Sequence, residues 1–451
     1  MSHTFDPTII RAYDIRGIVG ETLHPRDAWA IGRVFGNLCG QDVIVGMDGR
    51  HSSPQLAENL IKGLTEAGVH VKNIGICATP EVYYTQQALS ARGAIMITGS
   101  HNPPQHNGLK FVLDSAPFYG KDLEELARTA QHHFPEAAKH PGSHEKIPTT
   151  YLKSLISEAG RIADSSKLKI AWDPGNGATG DTIQQLLSHL PGEHILINGT
   201  IDGDFPAHHP DPSKPENMQQ LSDLVKSQAC DLGIAFDGDG DRVGFIDDNG
   251  QMLFGDQTLA FLAADVLQHN PNAEILFDCK CSQNTIQDIV DNGGKPVMLA
   301  SGHSNIKTHL KKCGAPFAGE YSGHFFFADR APGYDDGIYT ALRFIQSLIA
   351  FGKPLSQWLQ SRPAIFNTPE LSYPTADERK SAVIEQVKQN LTSDSIAYND
   401  IDGVRVSYDH GWWLLRPSNT QAVLTARVEA NSKENLLSLQ QELDHYLHNV
   451  L

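Results

Sequence analysis

Cysteine is scarce: six in 451 residues, with no CxxC spacing, leave no basis for a disulfide framework or a cysteine-based zinc site. All six thiols, including the C-x-C pair Cys279 and Cys281, are expected to be reduced and buried. Long apolar runs are missing as well. No stretch approaches the ~18–20 residues that span a bilayer, and no basic segment followed by an apolar core stands at the amino terminus. A cytoplasmic setting with no membrane partner is the expectation. Basic residues are outnumbered, 36 Lys and Arg against 53 Asp and Glu, for a net charge of −17. That balance argues against a general nucleic-acid surface and requires any anionic substrate to find a local basic pocket. Low-complexity tracts and charge blocks are also absent, while 40% hydrophobic and 20% charged residues are ordinary for a folded globular chain. Single cores stop growing beyond about 250–300 residues, so this length implies roughly three or four domains.

Two short segments carry chemistry. Thr98-Gly99-Ser100-His101-Asn102-Pro103-Pro104 offers one hydroxyl on a turn of Gly, Asn and Pro, just after the apolar run Ala94 to Ile97. Ligands of open α/β sheets bind beyond the carboxyl ends of strands, which is where Ser100 falls. Asp237-Gly238-Asp239-Gly240-Asp241-Arg242 packs three carboxylates and an arginine into six residues. Crowded carboxylates repel one another, and an oxygen-only donor set favours Mg²⁺, Ca²⁺ or Mn²⁺. An EF-hand starting at Asp237 would need Gly at its sixth position and Glu at its twelfth, where this chain has Arg242 and Asp248. A hairpin turn explains Gly238 and Gly240 but not three alternating carboxylates. A phosphatase with an aspartate nucleophile is the chemical alternative, since such aspartates also bind Mg²⁺. Read together, the two segments suggest a phosphorylated serine against a divalent cation, because Mg²⁺ commonly completes its shell with phosphate oxygen.

The chain carries a repeated unit. Val43 to Asp48, Leu168 to Asp173 and Ile275 to Asp278 are strand-like runs ending in Asp, each followed by a helix-like stretch. A second apolar run ending in a small-residue loop follows each, at Met96 to His101, Ala235 to Asp239 and Met298 to His303. Three tandem α/β units of similar topology are expected. The carboxy-terminal region differs: Val404, Val406 and Tyr408 alternate, Trp412 to Leu415 form a second run, and Ala422, Leu424, Ala426 and Val428 a third. A helix with Asn431 as N-cap and Glu434 at N3 completes an antiparallel α+β domain. Between its second and third strands, Arg416-Pro417-Ser418-Asn419-Thr420, with Arg427 beyond, forms a candidate phosphate clamp of planar forks and neutral donors. A polar hairpin loop is the plainer reading of the same residues. Gly319-Glu320-Tyr321-Ser322-Gly323-His324 places a carboxylate and a hydroxyl on a Gly-flanked loop suited to sugar hydroxyls.

In that order, TGSHNPP, DGDGDR, GEYSGH and RPSNT make the chain resemble the α-D-phosphohexomutases, most closely the bacterial phosphomannomutase/phosphoglucomutase branch, from Ala12-Tyr13-Asp14-Ile15-Arg16-Gly17 to beyond Arg416. The resemblance implies four domains around a central cleft: an α/β domain with the phosphoserine loop (1–147), one with the metal loop (148–251), one with the sugar-recognition loop (252–363) and a TATA-binding-protein-like α+β domain (364–451). Pro363 marks a hinge before the last. It implies Ser100 as phosphoserine and, with Asp237, Asp239 and Asp241, as the Mg²⁺ ligand set. Tyr13, Arg16, His101, Lys110 and Arg242 would surround the transferring phosphoryl group, and Lys280 and His303 the substrate. Glu320 and Ser322, in a loop with Tyr321, Gly323 and His324, would hold sugar hydroxyls, while Arg416, Ser418, Asn419, Thr420 and Arg427 would grip the unreacting phosphate. The implied reaction interconverts hexose 1-phosphate and 6-phosphate of mannose, glucose or both, through a hexose 1,6-bisphosphate that also serves as activator. Lys110, His101 and His303 are the candidates for general base. One departure bears on the substrate: the branch commonly carries Met where this chain has Tyr321, so a phosphoglucosamine mutase is the alternative. A Mg²⁺-dependent sugar phosphatase and a non-catalytic sugar-phosphate-binding protein are the rivals from other classes.

Overall fold

The runs before Asp48 and through Asp173 and Asp278 become the strands Val43–Met47, Lys169–Asp173 and Glu274–Asp278, each the middle member of a parallel trio in its own sheet. The computed structural model describes residues 2–163, 167–418, 422–448 and 450. On one side of the middle strands lie Val71–Ile76, Glu193–Leu196 and Lys295–Leu299. On the other lie Gly93–Ile97, Leu232–Phe236 and Phe317–Gly319. Each of the latter three turns back into an antiparallel partner, respectively His106–Leu113, Val243–Ile246 and Phe325–Phe327. The three turns at those carboxyl ends contain Ser100, the Asp237 triad and Glu320, so one topological position is used three times for three different chemistries.

This wiring corrects the repeat read from sequence. Met298 to His303 is the end of the strand Lys295–Leu299 and the loop after it, and that strand lies on the side of its middle strand opposite to the side the Ser100 and Asp237 strands take in their own sheets. The third counterpart is Phe317–Gly319, a strand too short to stand out as an apolar run. The remaining sheet is antiparallel and five-stranded, with Val404–Tyr408, Gly411–Pro417 and Val423–Ala430 at its heart and Phe366–Asn367 and Leu371–Pro374 on the last of these. The helices Asp377–Ser393 and Lys433–His448 pack against it. The final helix is capped one residue later than expected: the Ser432 hydroxyl, not Asn431, accepts from the Asn435 N–H. Five cysteines are buried as expected, but Cys313, at the end of the helix His303–Cys313, is exposed. No helix among the described residues is long and apolar enough to cross a membrane.

The second and third sheets share a continuous core. Trp172 and Phe236 of one and Phe277, Phe317 and Phe325 of the other join through the helices Gly255–His269 and Gly337–Phe351. The first and fourth sheets have cores of their own. Asp336 caps the helix Gly337–Phe351 by accepting from the Tyr339 N–H at 2.9 Å, and it also accepts from the Tyr151 hydroxyl at 2.8 Å. Glu81, in the first turn of Thr79–Ala88, is buried where the first unit meets this junction. Burial pushes each of these carboxyls up to about 7, and the charge of Asp336 adds to the effect on Glu81.

A carboxyl whose folded pKa is raised binds its proton more tightly in the folded state. Its stabilisation is therefore complete below the unfolded value, near pH 4, and lost as pH rises through about 7. Unfolding free energy should fall between pH 6 and pH 8 by on the order of 1 kcal/mol for each group. Glu81→Gln should remove about half of that slope in urea titrations at the two pH values. An unchanged slope would assign the pH dependence elsewhere.

Candidate active site

Ser100 sits on a turn that cannot hold itself. Its φ is +48°, in the left-handed region disfavoured for a residue with a Cβ, and its N–H donates to Thr98 Oγ1 at 2.7 Å. The turn is fixed from beneath by Arg50. That buried guanidinium donates to the carbonyls of Ser100 (2.7 Å), Asn102 (2.6 Å), Pro103 (2.6 Å) and His106 (3.1 Å). Asp48 holds it in turn, accepting from Arg50 Nε at 3.1 Å, from the Gly99 N–H at 3.0 Å and from the Ser53 hydroxyl at 2.5 Å. The sequence offered Asp48 only as a strand end and Arg50 not at all, because a D-G-R turn looks like any other until the chain returns over it.

Asp237, Asp239 and Asp241 are each 0% exposed. A Cβ on Gly238 would lie 2.5 Å from the Ser100 carbonyl oxygen, so only glycine lets the two turns touch. Their contact brings Ser100 Oγ within 2.9 Å of Asp237 Oδ2, the bond the hydroxyl donates. Lys110, buried on the strand beside the Ser100 turn, donates to Asp239 Oδ2 at 2.7 Å and Asp241 Oδ2 at 2.5 Å, and the Thr79 hydroxyl donates to Asp239 at 2.5 Å. Backbone from neighbouring units pins the acidic turn, with Thr79 N–H on the Asp239 carbonyl (2.8 Å) and Gly337 N–H on the Gly240 carbonyl (3.0 Å).

The triad fits a hard divalent cation on two observations. One ligand atom from each carboxylate lies within 4.8 Å of the others, and Asp239 Oδ1 and Asp241 Oδ1 are buried with no hydrogen-bond partner among the described residues. Burial, and then the charges of Asp239 and Asp241, push the Asp237 carboxyl well above its ordinary range. Burial works the same way on Asp239, but Lys110 overrides it and holds that carboxyl below the usual value.

A second polar chain reaches the site from the third unit. Arg242 Nε donates to His324 Nε2 at 2.9 Å, which leaves the His324 proton on Nδ1, facing Asp335 Oδ2 at 3.0 Å. Asp335, fully buried, also accepts from Lys307 at 2.8 Å and faces His303 Nδ1 at 3.4 Å, and the two histidine rings stack at 5.2 Å. Asp335 and Lys307 were missed by sequence reasoning. The only cue was a D-D-G helix start, which reads as a cap.

The three candidate bases differ in charge state. Lys110 is buried, yet Asp239 and Asp241 hold it well above the usual lysine value, so it is a cation. Burial, reinforced by Arg242 and Arg16, keeps His101 well below the ordinary histidine value, with Nδ1 3.2 Å from Ser100 Oγ. Burial and Lys307 bring His303 down to about 4. Both imidazoles are therefore neutral acceptors near pH 7.

The other expected residues lie around these two chains. Arg16 donates to Asn102 Oδ1 at 3.1 Å and to Asp14 at 2.5 Å. The Tyr13 hydroxyl donates to the Ser301 carbonyl at 2.7 Å, joining the first unit to the third. Glu320 Oε1 accepts from the Gly302 N–H at 2.6 Å, and Ser322 and Gly323 form the turn beside it. His324, on the same loop, faces Arg242 and Asp335. Lys280 pairs with Asp278 at 3.2 Å. From the last sheet, Arg416 Nε donates to Asp402 at 2.8 Å, and Asp402 also accepts from the Ser301 N–H at 3.0 Å. Arg427 donates to the Lys280 carbonyl at 2.6 Å. Ser418 is held through its backbone, its N–H on Val423 and its carbonyl accepting from Lys380. Asn419 and Thr420 lie outside the described residues.

Four family models match the chain in succession. They are phosphoglucomutase/phosphomannomutase alpha/beta/alpha domains I (residues 7–133), II (149–250) and III (254–366), and the C-terminal domain of the same family (370–445). A phosphomannomutase/phosphoglucomutase of Pseudomonas syringae pv. tomato is 40% identical over 96% of this chain and 93% of its own length. A phosphoglucomutase of Neisseria gonorrhoeae is 37% identical over 96% and 95%. A phosphoglucomutase/phosphomannomutase family protein from Burkholderia thailandensis, solved by X-ray crystallography, superimposes with a TM-score of 0.91 at 37% identity, covering 99% of this chain and 98% of that one.

Proposed function

The chain belongs to the phosphoglucomutase/phosphomannomutase family, and from that premise we propose that it interconverts hexose 1-phosphate and hexose 6-phosphate, of mannose, glucose or both, by way of a phosphorylated Ser100. The observation that carries the reading is the 2.9 Å bond from Ser100 Oγ to Asp237 within a buried three-carboxylate turn, which supports a serine that carries phosphoryl and faces a cation. When bound by Asp237, Asp239, Asp241 and a phosphoserine oxygen, Mg²⁺ would neutralise negative charge at the phosphoryl group.

In the first transfer the bond from phosphorus to Ser100 Oγ breaks and a bond to the free sugar hydroxyl forms, while that hydroxyl's proton passes to a base; in the return transfer the bond from phosphorus to the other sugar oxygen breaks, a bond to Ser100 Oγ forms, and that sugar oxygen takes up a proton. Lys110 and Arg242, held as cations by buried carboxylates, stabilise the equatorial oxygens. The base is a neutral histidine: His303 beside the sugar loop, or His101 beside Ser100. The resulting 1,6-bisphosphate turns around and returns its other phosphate to Ser100, and added bisphosphate restores enzyme that has lost its phosphate. Arg416 and Arg427 fork the unreacting phosphate, and Glu320 with Ser322 reads the 3- and 4-hydroxyls, which mannose and glucose share.

The test is ³¹P NMR of the protein with Mg²⁺, a trace of hexose 1,6-bisphosphate, and mannose 1-phosphate or glucose 1-phosphate. Growth of a 6-phosphate signal is the expected result. Release of inorganic phosphate, or turnover confined to glucosamine 1-phosphate, would overturn the assignment.

A further inference from the structure

Tyr321 does not spend its ring on the sugar loop that carries it. One face stacks on Phe254 at 6.1 Å between centroids and 13° between planes, and the Arg427 guanidinium carbon lies 3.9 Å from the ring centroid. Arg427 in turn lies 5.6 Å from the ring of Trp412, against which Arg405 is placed at 3.9 Å. Phe254, Tyr321, Arg427, Trp412 and Arg405 thus form one continuous column, two rings followed by a guanidinium, a ring and a second guanidinium. It begins in the third unit and ends in the last sheet. Arg427 and Trp412 are almost wholly buried within it, so the attraction between cation and ring is little weakened by water.

The contact between these units also includes a small apolar cluster of Cys279, Met298, Trp412 and Leu414, and bonds to backbone and carboxylates. Glu429 accepts from the Ser282 hydroxyl (2.7 Å) and the Gln283 N–H (3.1 Å), and Arg405 donates to the carbonyls of Cys279 (2.6 Å) and Cys281 (3.1 Å). Those bonds set the last sheet against the third unit. The plane of the Arg427 guanidinium is a separate matter. Its Nη1 donates to the Lys280 carbonyl and lies 3.7 Å from Asp256, its Nη2 lies 3.6 Å from Glu429, and its Nε is buried with no hydrogen-bond partner among the described residues. Neither carboxylate is within hydrogen-bond distance, which leaves the plane of the fork some freedom to turn, and a planar fork binds phosphate well only when its plane is aligned. The Tyr321 face removes that freedom.

We propose that Tyr321 is a positioning residue: its ring aligns the Arg427 fork, across the boundary between two units, for the phosphate that does not react. This rests on the proposed mutase reading. Because that phosphate is held equally in ground and transition states, loss of alignment should appear in KM rather than kcat. Tyr321→Met fills similar space without a ring face and should raise KM for mannose 1-phosphate and glucose 1-phosphate alike by about 5- to 20-fold, with kcat within about threefold of wild type. Tyr321→Phe keeps the face and should restore the wild-type KM. Calorimetric Kd for glucose 6-phosphate should move by the same factor as KM in each variant.

An unchanged KM and Kd in Tyr321→Met would overturn the assignment, as would a fall in kcat alone, or a Tyr321→Phe that behaves like Tyr321→Met. An inactive wild-type protein in the same assay would speak against the mutase reading itself, whereas an active wild type with an indifferent Tyr321→Met speaks only against the role of Tyr321.

Discussion

Ser100→Ala should lower turnover of mannose 1-phosphate and glucose 1-phosphate by at least about 10⁴-fold, because the mechanism has no other phosphoryl carrier and no partial route around it. The side chain is small and the turn is held mainly through carbonyls gripped by Arg50, so the fold should survive. A melting temperature within a few degrees of wild type checks this. The same variant separates the rival chemistries. A phosphatase using one of the aspartates as nucleophile would keep releasing inorganic phosphate, and a simple binding protein would keep its affinity for hexose 6-phosphate with no turnover to lose.

The second large effect is expected at the acidic turn. Chelation should bring turnover below about 1% of its starting value, with recovery on adding Mg²⁺. Asp237→Asn should cost at least about 100-fold in kcat even at high Mg²⁺, because it removes one of the three carboxylate ligands. The two backbone bonds that Asp237 Oδ1 accepts, from Gly240 at 3.0 Å and Arg242 at 3.1 Å, can be kept by the asparagine carbonyl. The variant should therefore fold, and relief of repulsion among three buried carboxylates should leave it at least as stable as wild type without metal. The increase in melting temperature that millimolar Mg²⁺ gives wild type should shrink or vanish. Undiminished turnover in Asp237→Asn, or after exhaustive chelation, would remove the cation from the account.

The parts of this protein legible in its sequence are those in which chemistry and fold coincide over a few residues. The Ser100 and Asp237 turns each carry their glycines, their strand and their functional groups within a dozen positions. The structure brings Ser100 and Asp237 together although 137 residues separate them. Partners contributed by tertiary contact stayed hidden. Arg50 serves a turn about fifty residues away, Asp335 acts on Arg242 through His324, and Asp402 lies between Arg416 and the Ser301 loop. Each looks like an ordinary turn or cap until another unit packs on it.

The misassigned third repeat had a related cause. Apolar run length ranked Lys295–Leu299 above Phe317–Gly319, but strand pairing, which the sequence does not display, makes the shorter strand the counterpart. Cap chemistry misled by one residue at Ser432, because Asn431 and Ser432 are both good caps and adjacent. Tyr321 was legible as unusual but not as useful, since its partner Arg427 comes from the last sheet.

The claim that Ser100 carries the phosphoryl group and passes it to sugar is tested most directly by intact-protein mass spectrometry before and after one equivalent of glucose 6-phosphate. Protein treated with hexose 1,6-bisphosphate and then desalted should carry one extra phosphoryl group, located to Ser100 by peptide mapping. When that phosphoryl group carries ¹⁸O, mixing with glucose 6-phosphate in Mg²⁺ should pass part of the label to hexose phosphate while unlabelled phosphoryl from the sugar replaces it on Ser100. A labelled phosphoryl group that stays wholly on the protein, that leaves as inorganic phosphate, or that maps to an aspartate would contradict it.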